Sequence, residues 1–542
     1  MIFLSTLLLS VLITIALTPV FSTLALRFQL VDIPNERKVH QHPIPRIGGI
    51  AMALGAFVPI LFWNYEVNFV RAYLTGALVL VVFGLIDDFR ELSPRVKFTG
   101  QVAAALIAVL YGGVQIRWLG SLLPDGVLLP AWLAVPLTVV AIVGVTNAIN
   151  LADGLDGLAG GICLLIFAGI GYLAYLGDNA VIGFISLALV GVIYGFLRFN
   201  THPASIFMGD SGSQFLGYSA ITLSLALTQQ NSVVSPTLPL LLLGFPVLDT
   251  LTVMCTRIVQ GRSPFSADKN HFHHNLLKLG FLHPESVLII YVFQTVLVIA
   301  AVLCRFYSDW FLLAGYMMFC GAILFGFSRA ARTGNSMKRF HFFDVKIAGR
   351  LRMLRREGTV IKSSFKIFEF GIPLLLIITC LLATKVPFYV SLAGCGFAGL
   401  IVLARIFRKE ILGGMVRIAL YLLIPFAVYL SDARMMEWQS DELVRLYNAT
   451  FGIFAVFIII ISKFSRRKKG FHSTPMDFLI IILAVVVPNL PVEKVMEYKV
   501  GLMAAKIIML YFSYEVLMAE LRGKYNRLAL STVASLLVLA AG

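Results

Sequence analysis

Arg71-Ala-Tyr-Leu-Thr-Gly-Ala-Leu-Val-Leu-Val-Val-Phe-Gly-Leu-Ile86 runs directly into Asp87 and Asp88. An apolar run of this kind crosses a hydrocarbon core of about 30 Å as a helix, and paired carboxylates at its end are costly beside lipid. Runs of about 20 apolar residues, bounded by charges or turn residues, recur along the whole chain. Of 542 residues, 59% are hydrophobic and 13% charged, against roughly 25% charged in soluble domains. The chain therefore reads as an all-α polytopic membrane protein, with about 11 transmembrane helices in a first domain and about 7 in a C-terminal extension. The expected divisions are 1–328 for the first domain, 329–366 for a basic cytoplasmic linker and 367–542 for a further transmembrane domain. Met1 to Leu26 lacks a basic n-region and a small-residue cleavage site, so it reads as a first span and not a removed signal.

The formal net charge of +16 lies in short loops between spans, which speaks against nucleic acid as a partner. Anionic lipid headgroups of the bilayer and anionic substrates suit it better. The six cysteines stand singly in apolar segments, without the spacing of a disulfide framework or a zinc site. With the N-terminus outside, the inside loops carry Arg37, Lys38 and Arg46, then Arg90, Arg95 and Lys97, then Arg257, Arg262, Lys269 and Lys278. The same alternation puts the eleven Lys and Arg of 329–366 inside and the acidic stretch around Asp432, Glu437, Asp441 and Glu442 outside.

On that topology every polar cluster of the first domain faces the cytoplasm. Beside Asp87-Asp88 there are Thr146-Asn-Ala-Ile-Asn-Leu-Ala-Asp-Gly-Leu-Asp-Gly157, Phe207-Met-Gly-Asp-Ser-Gly-Ser213 and Ser263-Pro-Phe-Ser-Ala-Asp-Lys-Asn-His-Phe-His-His274. Ion pathways place ionisable groups at several depths within spans, whereas these sit at span ends on one side. Asp87 and Asp88 point about 100° apart on a helix, so one is expected to face a site and the other to support it. The lesser alternative for the pair taken alone is that it solvates a helix end or pairs with Arg90. Asn147, Asn150, Asp153 and Asp156 are spaced by three, and Gly154 and Gly157 predict a break after Asn150 with both aspartates on a tight loop. Asp210, beside Gly209, suits a Mg²⁺ ligand, with Ser211 and Ser213 as caps of the helix that follows. His271, His273 and His274, with Lys269 and Arg262, suit an anionic pyrophosphate better than a metal. Residues 329–542 present no comparable cluster, so no chemistry is assigned to them.

These motifs resemble the polyprenyl-phosphate N-acetylhexosamine-1-phosphate transferase family, related to phospho-MurNAc-pentapeptide translocase. The resemblance rests on Asp32-Ile-Pro-Asn-Glu-Arg-Lys-Val-His40 with Pro45-Arg-Ile-Gly-Gly49, then Gly84 to Asp88, Asn147 to Gly157, Phe207 to Ser213 and Ser263 to His274, in the family's order. It covers residues 1–328. Phe272 interrupts the three contiguous histidines of the pentapeptide branch, so the branch using UDP-GlcNAc or a related UDP-N-acetylhexosamine fits better. Ser205 stands where relatives often carry Lys, and Lys269 where Arg is common, which keeps the charge but loses a bidentate fork.

The resemblance implies transfer of GlcNAc-1-phosphate from a UDP-sugar donor to polyprenyl (undecaprenyl) phosphate with release of UMP, at the cytoplasmic face of the inner membrane, to begin an envelope glycan. It implies Asp87 and Asp88 as catalytic residues and Asp210 with Asn150 as ligands of Mg²⁺, Mn²⁺ being the alternative ion. Asn147, Asp153, Asp156, His271, His273, His274, Lys269 and Arg262 would bind the nucleotide sugar, with Lys97, Arg46 and Gly209 in support. A homodimer and contacts with downstream glycan-pathway proteins are further expectations. The alternatives are a phospho-MurNAc-pentapeptide transferase and, from another class, a lipid-linked sugar transporter or flippase.

Overall fold

The computed structural model describes residues 2–32, 43–64, 66–90, 92–124, 126–229, 234–263, 271–332, 359–383, 386–407, 409–438, 446–454, 500–521 and 525–542. Lys269 and the apolar residues 475–489 lie outside them. The chain divides into two compact units, the first built from residues up to Met337 and the second beginning at Lys338. Among the described residues, ten helices are long and apolar enough to cross a membrane, and the only strands are a two-residue pair. The protein is an all-α, multi-span membrane protein.

In the first unit α1 (Ile2–Arg27) is followed by the short antiparallel pair β1 (Val31–Asp32) and β2 (Ile44–Pro45), then α2 (Gly48–Asn64), α3 (Asn68–Arg90) and α4 (Pro94–Leu106). The long helices α5 (Ala131–Ala152), α6 (Leu158–Leu176), α7 (Ala180–Asn200) and α8 (Gly209–Gln229) come next. The unit continues with α9 (Leu238–Leu242), α10 (Gly244–Val259), α11 (Phe272–Lys278), α12 (His283–Leu303) and α13 (Asp309–Arg332). Helix α8 is the hub, packed by α2, α3, α5 and α6, and its residues from Ser211 to Thr228 are buried. An interior helix needs small residues where backbones cross, because a Cβ has nowhere to go. A Cβ on Gly49 would lie 2.3 Å from the amide nitrogen of Gly212, and one on Gly84 would lie 2.5 Å from the Cα of Ser211.

Two apolar runs of the sequence, 98–113 and 237–256, are long enough to be read as single spans but are not single regular helices. The run near 98–113 ends as a regular helix at Leu106 and finishes in a wider π-turn, Ile107–Tyr111. The run near 237–256 is two helices, α9 and α10, interrupted at Leu243. Pro246 supplies no N–H to the first turn of α10, and the carbonyls left over at the break must find partners inside the protein. Gln294 Nε2 donates to Leu242 O at 2.7 Å, and the Tyr316 hydroxyl donates to Gly244 O at 2.8 Å.

At the end of these helices away from the motifs, Asp309 is buried and gathers the Ser121 amide at 2.7 Å, the Ser121 hydroxyl at 3.1 Å, the Thr237 hydroxyl at 3.0 Å and the Ser235 hydroxyl. This carboxylate staples three loops.

The second unit contains α14 (Thr359–Leu382), α15 (Phe388–Phe407), α16 (Lys409–Trp438), the helical residues 446–454, α17 (Val500–Leu521) and α18 (Asn526–Ala541). Helix α16 packs against α14, α15, α17 and α18.

Candidate active site

The last turn of α3 carries two carboxylates that diverge as helix geometry requires. Asp88 turns to the start of α8, where its Oδ1 accepts the Asp210 amide at 2.9 Å and its Oδ2 accepts the Ser211 amide at 3.2 Å and hydroxyl at 3.0 Å. Orphan N–H groups at a helix start are usually capped by the residue just before them. Here the cap comes from another helix, and Ser211 donates to it instead of supplying the capping oxygen. Gly209 makes the approach feasible, with φ +68° and room for no Cβ, which would sit 2.5 Å from Asp88 Oδ2.

Asp87 points the other way. Its Oδ2 lies 2.6 Å from Lys97 Nζ, and its Oδ1 accepts the Leu92 amide at 2.6 Å. The same ammonium lies 3.0 Å from Asp210 Oδ2. Two carboxylates, Asp87 and Asp210, thus share one lysine. The sequence ranks Lys97 as a supporting cation, yet it is the centre of the cluster.

Helix α5 runs to Ala152, two residues past the expected break, so Asn147 and Asn150 stand in its last turns while Asp153 and Asp156 lie on the turn beyond it. Gly157 has φ +79°, the conformation glycine favours. Gly154 is needed for closeness, since a Cβ there would lie 2.3 Å from His273 Nε2. Asn150 Oδ1 accepts the Ser213 hydroxyl at 2.9 Å, which ties this turn to the start of α8. Asn147 is joined to Gln101 by two side-chain hydrogen bonds of 2.7 and 3.2 Å, and Gln101 reaches Gln214 at 3.3 Å. That amide cluster is absent from the sequence reading.

Asp153 is only partly exposed, and burial with the nearby carboxylates of Asp210, Asp156 and Asp88 pushes its carboxyl up to about 7. Asp156 behaves oppositely. Burial raises it, but the His202 ring at 2.8 Å and the Ala204 amide at 3.1 Å, both on Oδ2, hold it below the usual carboxylate range. The Asp156 amide donates to His283 Nε2 at 3.1 Å, and the rings of His202 and His283 stack with centroids 4.3 Å apart. Asn200 and Tyr291 hold the two polar backbone groups of Gly157 at 3.0 and 2.7 Å. Asp156, His202 and His283 could between them hold a metal ion, but their nearest ring nitrogens already serve Asp156, so the group works as a clamp on the turn.

The histidine motif is anchored by Asp249, which the sequence reading omits. Its Oδ2 lies 3.0 Å from His271 Nδ1, and its Oδ1 accepts the Phe272 amide at 2.8 Å at the start of α11. A lone carboxylate within the apolar run Gly244 to Val253 was the available signal. His273 is buried, and burial with the neighbouring His274, His271 and His283 lowers it to about 3, so it is a neutral imidazole at pH 7. Its Nε2 has no hydrogen-bond partner among the described residues and faces Gly154. His274 stacks obliquely on it, with centroids 4.2 Å apart.

Arg46 pairs with Asp32, and its carbonyl lies against Gly209. Its neighbours bind the Phe207 motif through Phe207 N to Pro45 O at 2.7 Å, Gly48 N to Phe207 O at 3.0 Å and Gly49 N to Met208 O at 2.9 Å. Arg262 is exposed beyond α10, with no ion pair to these carboxylates among the described residues.

Fold and site define a class: a multi-span helical membrane protein that gathers carboxylates, one lysine and neutral histidines at one end of its helices. Comparison with known proteins narrows this. The family model described as Glycosyl transferase family 4 matches residues 70–228. A probable undecaprenyl-phosphate N-acetylglucosaminyl 1-phosphate transferase of Bacillus subtilis is 39% identical over 304 residues, 56% of this chain and 84% of the relative. A decaprenyl-phosphate N-acetylglucosaminephosphotransferase of Mycolicibacterium smegmatis is 35% identical over 53% of this chain and 78% of its own length. The undecaprenyl-phosphate alpha-N-acetylglucosaminyl 1-phosphate transferase of Yersinia pestis is 30% identical over 58% and 89%. The chain belongs to glycosyl transferase family 4, the polyprenyl-phosphate sugar-1-phosphate transferases.

Proposed function

We propose that the first unit transfers GlcNAc-1-phosphate from UDP-GlcNAc to a polyprenyl phosphate, releasing UMP, at the cytoplasmic face of the cell membrane with the N-terminus outside. The observation that carries this reading is the pair of carboxylates, Asp87 and Asp210, converging on Lys97 beside the start of α8. A surplus of negative charge held around one ammonium suits a substrate that arrives as a phosphate with a divalent cation.

The donor set fits Mg²⁺, since Asp210, Asp87 and the Asn150 amide offer hard oxygens and no sulfur. Asp210 with Asn150 would hold the ion, which when bound would neutralise charge on the pyrophosphate and on departing UMP. An oxygen of the lipid phosphate attacks the β-phosphorus of the donor, and the bond from that phosphorus to the oxygen bridging to UMP breaks. Asp87 orients the lipid phosphate and takes its proton where it arrives protonated. Lys97 moves from the carboxylates toward phosphate oxygens. Asp88 acts through the amides it caps, keeping Asp210 in place. His273 meets the nucleotide sugar as a neutral hydrogen-bonding group with His274 beside it, and Asp153 adds a carboxyl that is half protonated near neutrality.

Purified protein incubated with UDP-GlcNAc, polyprenyl phosphate and Mg²⁺ should release UMP, and a panel of UDP-N-acetylhexosamines identifies the donor. No UMP from any donor would refute the reading.

A further inference from the structure

Matched relatives account for little more than half of this chain, and the family model lies wholly within the first unit. In the second unit α16 and α17 bring together four charged residues that lie far apart in sequence. Arg417 and Glu515 form a forked pair at 2.8 and 3.1 Å, and the Tyr421 hydroxyl donates to Glu515 Oε1 at 2.9 Å. Lys506 Nζ lies 2.6 Å from Asp432 Oδ1 and stands 4.7 Å above the centre of the Tyr447 ring. Lys506 is 2% exposed and Asp432 10%, and Asp432 Oδ2 has no hydrogen-bond partner among the described residues.

Arg417 lies near the start of the apolar stretch Ile411–Asp432 and Asp432 closes it, about 22 Å further along α16, while their partners Glu515 and Lys506 stand about 14 Å apart along α17 at 1.5 Å per residue. Pro425 lies between Arg417 and Asp432. It has no N–H for the carbonyl four residues back, which belongs to Tyr421, and the Tyr511 hydroxyl fills that place at 2.6 Å. The helix runs on through Pro425 but lacks one backbone hydrogen bond there, and a side chain from α17 takes its place. Ionisable groups toward the two ends of one span, with a proline between them whose missing hydrogen bond a tyrosine replaces, suit a passage through the bilayer better than a site on one surface.

We infer that the second unit carries protons across the membrane, with Glu515 and Asp432 as the carriers. A proton entering from one side forms an O–H bond on a carboxylate oxygen and releases the cation from its ion pair, and the cation keeps its own charge. The O–H bond on the first carboxylate then breaks as one forms on the second, and loss of that proton to the other side re-forms both pairs; no electrons move, and one proton is transferred. Facing Glu515 are Arg417 and Tyr421 from α16, with Tyr511 and Tyr514 from α17. Facing Asp432 are Lys506 from α17 and Tyr447, whose hydroxyl lies 2.9 Å from Thr379 of α14, beside Cys380.

The test uses the full chain in liposomes enclosing a pH-sensitive dye, with proton uptake driven by a potassium gradient and valinomycin. Uptake should exceed that of protein-free liposomes, and Glu515→Gln and Asp432→Asn should each lower it at least tenfold. Because a single change leaves a buried cation unpaired, Arg417→Gln with Glu515→Gln and Lys506→Met with Asp432→Asn are made as well. Thermal unfolding in detergent reports folding whatever the transferase assay shows. Uptake equal to that of protein-free liposomes, or undiminished in double variants that unfold at the wild-type temperature, overturns the inference.

Discussion

The two units handle buried charge in opposite ways. In the first, Asp87 and Asp210 share Lys97 at the helix ends, and Asp153 adds a further carboxyl, so the site holds more negative than positive groups. In the second, Arg417 faces Glu515 and Lys506 faces Asp432, one cation to each carboxylate, toward opposite ends of one helix. A surplus of carboxylates on one face calls for a cation and an anionic substrate to complete it. Balanced pairs at two depths call for no further metal or substrate, and a proton on the carboxylate is what opens them.

The comparison breaks first at the carboxylates. Asp87→Asn or Asp210→Asn should lower UMP release about 10³-fold, a loss expected for one electrostatic group in such a site, and leave proton uptake in liposomes unaltered. Equal loss of both activities would mean that the units do not work separately. Lys97→Met should cost about 10²-fold in UMP release, because the carboxylates keep their places but lose their shared cation. His202→Ala removes a support and not a reacting group, so KM for the UDP-sugar should rise about tenfold with kcat nearly kept, as measured from initial rates. Gly209→Ala forces a Cβ against Asp88 at positive φ and should destabilise the first unit by about 2 kcal/mol in thermal or denaturant unfolding. The smallest effect belongs to the far end, where Ser235→Ala removes one hydrogen bond to Asp309, costing about 1 kcal/mol with UMP release intact.

Much of the first site is legible in the chain because its residues come in local strings. The Pro45 to Gly49 and Phe207 to Ser213 motifs are each readable alone, and their backbone pairing explains why both carry glycines at the crossing. Asp249, His202, His283 and Gln101 were missed because each stands singly, its partner supplied by a distant part of the chain. The second unit looked empty of chemistry for the same reason, since Arg417 and Glu515 are almost a hundred residues apart and neither has a polar neighbourhood of its own.

By itself the sequence determined that this is a multi-span helical membrane protein, and which short strings interrupt its apolar runs. Lipid as solvent makes every span an unbroken record of hydrophobicity, and each polar exception stands out against it. Only the tertiary structure decided that Asp87 takes the lysine while Asp88 caps α8, that the run near 237–256 is two helices, and that two ion pairs flank Pro425. These outcomes depend on which helix faces which, and helix packing is set by shape and by partners distant in the chain, which local pattern does not encode.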